Sequence, residues 1–239
     1  MARRTFLSEL GDYVRDHQSW RIWSLAAQDG IIATAGILLG FAGAGAGDNT
    51  LLVAATAATV AGMLAAGGAN WSEAAAERDA QWGAIYDERI DIDEWRAGAA
   101  RLEVVEYYED KGLDRDLALR VVDQLMARSP LRTALEYEHG ILELTSRAQV
   151  LLTGAFSSLA YALGAAIPFV MTFYLPVDIE TWLILLAVLV SLTLVSIVGA
   201  HAGNMDVSRT IVRTLIVGAI TIVISYAVGE IAFQNMRPS

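Results

Sequence analysis

Three long stretches of the chain carry no charged side chain: Thr50 to Ser72, Ala148 to Val177 and Thr181 to Met205. Each matches the roughly 20 residues that take a helix across the hydrocarbon core of a bilayer. Two further apolar runs complete the pattern. One extends from about Ile22 to Gly47 and is interrupted by Asp29; the other extends from about Thr210 to Phe233. The expected elements are therefore five spans: Ile22–Gly47, Thr50–Ser72, a third within Ala148–Tyr174 ended by Leu175-Pro176, Thr181–Ala200 and Thr210–Phe233. The run from Gly43 to Asn49 makes the turn between the first two. Span two is rich in Ala and Gly, and Gly62, Gly67 and Gly68 offer close helix approach, since packing rather than water exclusion holds helices together in lipid.

Between spans two and three the pattern changes. Glu73 to Arg147 contains 18 acidic and ten basic residues, so it nets −8. It reads as three helices and a short lead-in. The first, about Glu73 to Ile90, continues span two. The second, about Asp93 to Asp110, ends at Lys111-Gly112, where glycine suits a C-cap. The third, about Asp114 to Ala127, takes Asp114 as its N-cap. Ser129-Pro130 breaks it, and a short helix with Glu136, Glu138 and Glu143 leads into span three. The fold class expected is an all-α membrane protein with five transmembrane helices and a three-helix acidic domain at 73–147. That domain is flanked by spans at 22–72 and 148–239, after a polar segment at 1–21. Thr5, Phe6 and Leu10 in that segment form one face of a short helix lying on the membrane.

Composition supports this and removes several function classes. Charged residues make up 18% of the chain, below the roughly 25% of soluble domains. A formal net charge of −10 opposes nucleic-acid binding, which needs clustered Lys and Arg to neutralise phosphates. The absence of Cys excludes disulfides, thiolate metal sites and Cys nucleophiles. No phosphate-binding loop, zinc-protease signature or serine elbow is present, so ATP-driven pumping and hydrolysis have no support and an enzyme is not expected.

The basic residues also orient the chain. Arg3, Arg4, Arg15 and Arg21 precede span one, ten basic residues lie in 73–147, and Arg209 and Arg213 flank the turn between spans four and five. The opposite turns, near Asp48 and Asp178, have none. By the positive-inside rule the N-terminus and the acidic domain are cytoplasmic. Arg237 alone falls on the outer side.

Candidate chemistry lies mainly in the carboxylates. Glu73, Glu77, Glu88 and Asp91 share a stripe of the first cytoplasmic helix, and Glu103 and Glu106 stand at i, i+3 on the second. Stacked like charges repel unless the face is solvated or a cation neutralises it. Hard divalent ions take such oxygen ligands, and carboxylates converging from several helices hold the metals of di-iron bundles. A solvated acidic surface and a metal site both remain open on spacing alone. Asp29 is an ionisable group in a span, which either lines a pathway or caps the interface. Met63 is a soft ligand or packing. Asn70 is a polar ligand or a bond between helices, and Trp71 an interface anchor. His139, His201 and Glu230 are weaker candidates.

Several runs resemble one family. Asp29-Gly30-Ile31-Ile32 with Thr34, Gly36 and Gly40 resembles the first-span signature of the vacuolar iron transporter family. Ala61-Gly62-Met63-Leu64 resembles its second-span motif. Glu103-Val104-Val105-Glu106-Tyr107-Tyr108 followed by Lys111-Gly112-Leu113 resembles its cytoplasmic run. Leu135 to Ile141 resembles the entry to its third span, Ser158 to Pro168 that span itself, and Arg213 to Gly229 its fifth. The resemblance implies a homodimer of five-span subunits and proton-coupled export of Fe²⁺, and of Mn²⁺ by the hard character of the ligands, from the cytosol. It also implies a path between the two copies, and residence in the plasma membrane for a prokaryotic member. Carried over by motif, the metal-collecting positions fall on Glu88, Asp91, Glu103, Glu106 and Glu138, and the first-span aspartate on Asp29. Two positions depart from the family: Ala66 stands where it commonly has Met, and Asn70 where it has Glu. Met63, three residues before Ala66, lies on roughly the same face. These departures keep open a different role, a membrane-anchored protein that binds or senses iron or manganese without transport.

Overall fold

The computed structural model describes the backbone of residues 6–96, 99–141, 144–174 and 180–236. Side chains at 87–96 and 99–100, Ala134, Glu138 and a few further positions lie outside that description. Nine helices form among the described residues: α1 Phe6–Arg15, α2 His17–Gly43, α3 Asp48–Arg96, α4 Ala99–Asp110, α5 Arg115–Arg128, α6 Pro130–His139, α7 Arg147–Tyr174, α8 Glu180–Ala202 and α9 Val207–Met236. Five of them are long and apolar enough to cross a membrane, in the segments 17–43, 48–86, 147–172, 185–202 and 207–232. These are the five spans expected from the charge-free runs, and the chain is an integral membrane protein. The chain divides into two compact units, residues 1–72 with 148–239, and residues 73–147.

In the first unit α2 is the central helix. Ile31, Ile32, Ala35 and Leu39 on α2 are buried with Val188 and Leu192 of α8 and Ile222 of α9. On another side of α2, Leu38 packs with Leu51 and Ala55 of α3 and with Phe169 of α7. Small residues set the separations. A Cβ at Gly30 would overlap the carbonyl oxygen of Tyr161, one at Gly164 that of Ala27, and one at Gly229 that of Gly40. These glycines let backbones of α2, α7 and α9 touch directly. Gly67 likewise receives Ser158, and Gly154 receives Trp71. Gly68, expected to join this packing, has nothing within 4 Å of its Cβ position.

The helix ends follow local chemistry. α2 begins five residues before the expected Ile22, because the Asp16 carboxylate accepts the Ser19 N–H at 3.0 Å and caps it. Its first turns carry an aromatic cluster rather than an aliphatic run. The Trp23 ring stacks on Phe156 at 4.9 Å and lies 5.6 Å from Tyr13 of α1, and Trp20 Nε1 donates to the Val14 carbonyl at 2.8 Å. Tyr13 is buried while Leu7 and Val14 stay exposed.

The second unit has its own small core. Val104 and Val105 of α4 are buried with Ala118 and Val122 of α5, and Tyr108, Leu113 and Tyr137 pack against them. α3 runs unbroken to Arg96, so Asp93 lies in its last turn rather than opening the next helix. No glycine or proline stands between Gly83 and Arg96 to stop it. Gly112 and Gly140 adopt left-handed φ values of 95° and 64° after α4 and α6, the conformation that glycine reaches without a steric penalty. Asp114 occupies the N-cap position of α5 with extended backbone but makes no side-chain cap bond. Pro130 takes the first turn of α6, where its missing N–H costs nothing.

Candidate metal path and acidic helices

Asp29 sits between two buried neighbours that fix its direction. Gln28 is 6% exposed. Its amide donates to Ser196 Oγ of α8 at 3.3 Å, and its carbonyl accepts from Thr214 Oγ1 of α9 at 3.1 Å. Gly30 presses on the Tyr161 backbone of α7. With α8 and α9 on one side and α7 on the other, the Asp29 side chain is left on an exposed face of the first unit. It stands eight residues past Arg21, about 12 Å along the helix axis. A carboxylate on the most buried span, turned out of that span's own packing, needs a partner to be tolerated in lipid.

Tyr161 is the residue that ties this region together, and periodicity alone gave it no special place. Its backbone touches Gly30, and its hydroxyl lies where a side chain at Gly62 would be. One tyrosine thus bridges the segment carrying Asp29 and the segment carrying Met63. The signal available in the sequence was the pair of glycines, each beside a candidate ligand. Further along, Thr34 and Thr59 hydroxyls stand 3.5 Å apart and join α2 to α3.

Asn70 donates from Nδ2 to the Ala66 carbonyl at 2.9 Å, within its own helix. The expected alternative of a bond between helices is not what forms. The amide oxygen has no partner among the described residues. Met63, Ala66 and Asn70 are all half-buried, whereas Val53, Val60, Leu64 and Trp71 form an exposed apolar stripe on α3. His201 is exposed and its Nδ1 faces the Ile197 carbonyl at 3.0 Å; Glu230 is exposed and lies 3.5 Å from Gln234 Nε2.

In the second unit Glu103 and Glu106 are exposed on α4, while Val104 and Val105 face the core. The acidic edge is held by ion pairs with Arg101 to Asp123 at 2.6 Å and Arg115 to Glu109 at 3.4 Å. Lys111, the single lysine, lies over the Tyr107 ring at 4.0 Å and donates to its hydroxyl. Tyr107 meets Tyr108 and Tyr137 edge-on. The Tyr107 hydrogen bond pushes the Lys111 pKa up. Burial, with the Glu136 charge nearby, pushes the Tyr108 phenol up. Both groups hold their protons more tightly folded than unfolded. Their contribution is complete below the ordinary values of about 10 and is lost as pH rises through the folded pKa. Thermal melts of the full chain should therefore show the second unit weakening above about pH 10; a profile flat through that range would contradict these contributions.

A hollow of about 520 Å³ in this unit is lined by Glu77, Gln81 and His139. Gln81 bridges Glu77 at 3.5 Å and accepts the Thr145 N–H at 2.8 Å. Among the described residues no three carboxylate or imidazole groups gather closely enough to hold an ion. The side chains of Glu88, Asp91 and Glu138 lie outside the described residues, so the expected carboxylate set is represented by Glu103 and Glu106.

No curated protein is significantly similar to this chain. The model of the VIT family, by contrast, matches residues 21–230. That match takes in the acidic unit, three spans entirely and nearly all of the first and fifth, and the chain belongs to the VIT family, whose members are divalent-metal transporters rather than enzymes.

Proposed function

We propose that this protein exports a divalent metal, Fe²⁺ or Mn²⁺, from the cytosol in exchange for protons, as a homodimer in a prokaryotic plasma membrane. The N-terminus and residues 73–147 face the cytosol in this reading, by the bias of the arginines. The observation that carries it is Asp29, a carboxylate on the central span that its own subunit leaves exposed. The exposed stripe Val53, Val60, Leu64 and Trp71 on α3, with Ala57, Ala61 and Gly68 between them, supports a second copy as what covers α3.

In the mechanism, Glu88, Asp91, Glu103, Glu106 and Glu138 collect the ion, which is substrate rather than resident cofactor. Hard oxygen ligands suit Fe²⁺ and Mn²⁺. Asp29 then receives it, with Met63 and the free amide oxygen of Asn70 as neutral ligands beside the path. A proton arriving at Asp29 from the outer side removes the charge that holds the metal and releases it. Glu103→Ala with Glu106→Ala should weaken metal binding by the full chain about tenfold or more in calorimetry, since two anionic ligands are lost. Unchanged binding would make these carboxylates a solvated face.

A second reading has a specific basis. The Asn70 amide is engaged with Ala66, where the family commonly places a carboxylate and a thioether. A chain lacking both is a membrane-anchored iron or manganese sensor if the spans do not conduct. Uptake of Mn²⁺ into liposomes holding the purified protein separates the two. Saturable uptake supports transport; binding without uptake supports the sensor.

A further inference from the structure

The first two turns of α9 carry Arg209 and Arg213, both exposed. They stand at the head of an open face of α9 formed by Ser208, Arg209, Val212, Arg213, Ile216 and Val217. Among the described residues no carboxylate lies within ion-pair distance of either guanidinium. The nearest acid in sequence, Asp206, is committed to the helix start, where its Oδ1 accepts the Arg209 N–H at 2.7 Å. Two cations at a helix N-terminus also oppose the helix dipole, which favours negative charge there. Neither arginine belongs to the metal path, and a cationic pair would repel a divalent ion. Below them the surface is apolar: Val212, Ile216 and Val217 are each more than half exposed, and the ribbon continues through Ile220, Val223 and Ile224. From Val212 to Ile224 is about 18 Å of helix, close to the roughly 15 Å half-thickness of a bilayer core.

We infer that this face of α9 is a binding site for one anionic glycerophospholipid, with its phosphate on Arg209 and Arg213 and an acyl chain along the apolar ribbon. Guanidinium pairs suit phosphate oxygens through forked hydrogen bonds, and basic sites at the inner ends of spans recognise anionic headgroups. The apolar ribbon selects a lipid over a free phosphate, because a soluble anion leaves it bare. The charge pair selects an anionic lipid over a zwitterionic one.

The full-length protein is reconstituted in nanodiscs with equal phosphatidylglycerol and phosphatidylcholine, then released for native mass spectrometry. The native chain should retain phosphatidylglycerol preferentially. Arg209→Gln with Arg213→Gln should lower that preference about tenfold or more, and Arg209→Lys with Arg213→Lys should keep part of it, since charge remains while the fork is lost. Equal retention of both lipids, or an unchanged preference in the glutamine variant, overturns the site. Displacement of the lipid by sn-glycerol 3-phosphate overturns the lipid source. Efficient disulfide formation between copies through Ile216→Cys overturns the occupant in favour of a second subunit.

Discussion

Asp29→Asn is expected to lower metal flux at least about tenfold, equivalent to about 1.4 kcal/mol or more at the limiting step, while metal binding by residues 73–147 is unchanged. Asparagine keeps the shape and one carbonyl oxygen but loses both the charge and the exchangeable proton. Hard divalent ions depend on anionic oxygen, and proton exchange depends on a titratable group. The substitution therefore removes both halves of the proposed cycle at one atom position. The fold should survive, because Gln28 and Gly30, not Asp29, make the contacts that seat α2. Flux in liposomes and calorimetric binding on the same preparation check this. Native flux with Asn at position 29 would remove Asp29 from the path.

Gly164→Ala is expected to destabilise the first unit by about 1–3 kcal/mol, the usual cost of forcing a methyl group into a filled core. The added Cβ would overlap the Ala27 carbonyl oxygen, and a backbone atom cannot turn away as a side chain can. The reciprocal contact of Gly30 with Tyr161 lies one turn along the same α2–α7 seam, so the displacement would also move the segment beside Asp29. Gly11→Ala, inside α1 of the same unit, is the matched comparison. It has open space around it and should be neutral, or stabilising by up to about 1 kcal/mol through helix propensity. Thermal unfolding of both variants in the same detergent measures the contrast. Equal melting temperatures would mean that the α2–α7 seam is looser than the backbone contact implies.

The spans were legible because a bilayer imposes a length and a lack of charge that twenty residues display directly. The helix ends were less so. His17 to Arg21 is polar, and only the Asp16 cap and the aromatic cluster of Tyr13, Trp20 and Trp23 explain why α2 starts there. The break expected between Ile90 and Asp93 does not form, because the residues from Ala84 to Arg96 include neither glycine nor proline to stop the helix. At the site, Asp29 stood out as a lone charge in an apolar run, and Glu103 and Glu106 stood out by spacing. Tyr161 did not, because its importance comes from two contacts distant in sequence, Gly30 and Gly62. The Gln28 network is hidden for the same reason: a glutamine in a span is conspicuous, but Ser196 and Thr214 are ordinary until the helices pack. Which small residues form seams is equally a tertiary property, and this separates Gly67 from Gly68.

The most direct test of metal–proton exchange follows both ions in one vesicle. Purified protein is reconstituted in liposomes with a metal-sensitive and a pH-sensitive dye inside, and Mn²⁺ is added outside. Saturable Mn²⁺ entry accompanied by alkalinisation of the lumen, as protons leave in exchange, is the expected result. Mn²⁺ entry with no proton movement even when the membrane potential is clamped would contradict the exchange and leave Asp29 as a passive ligand.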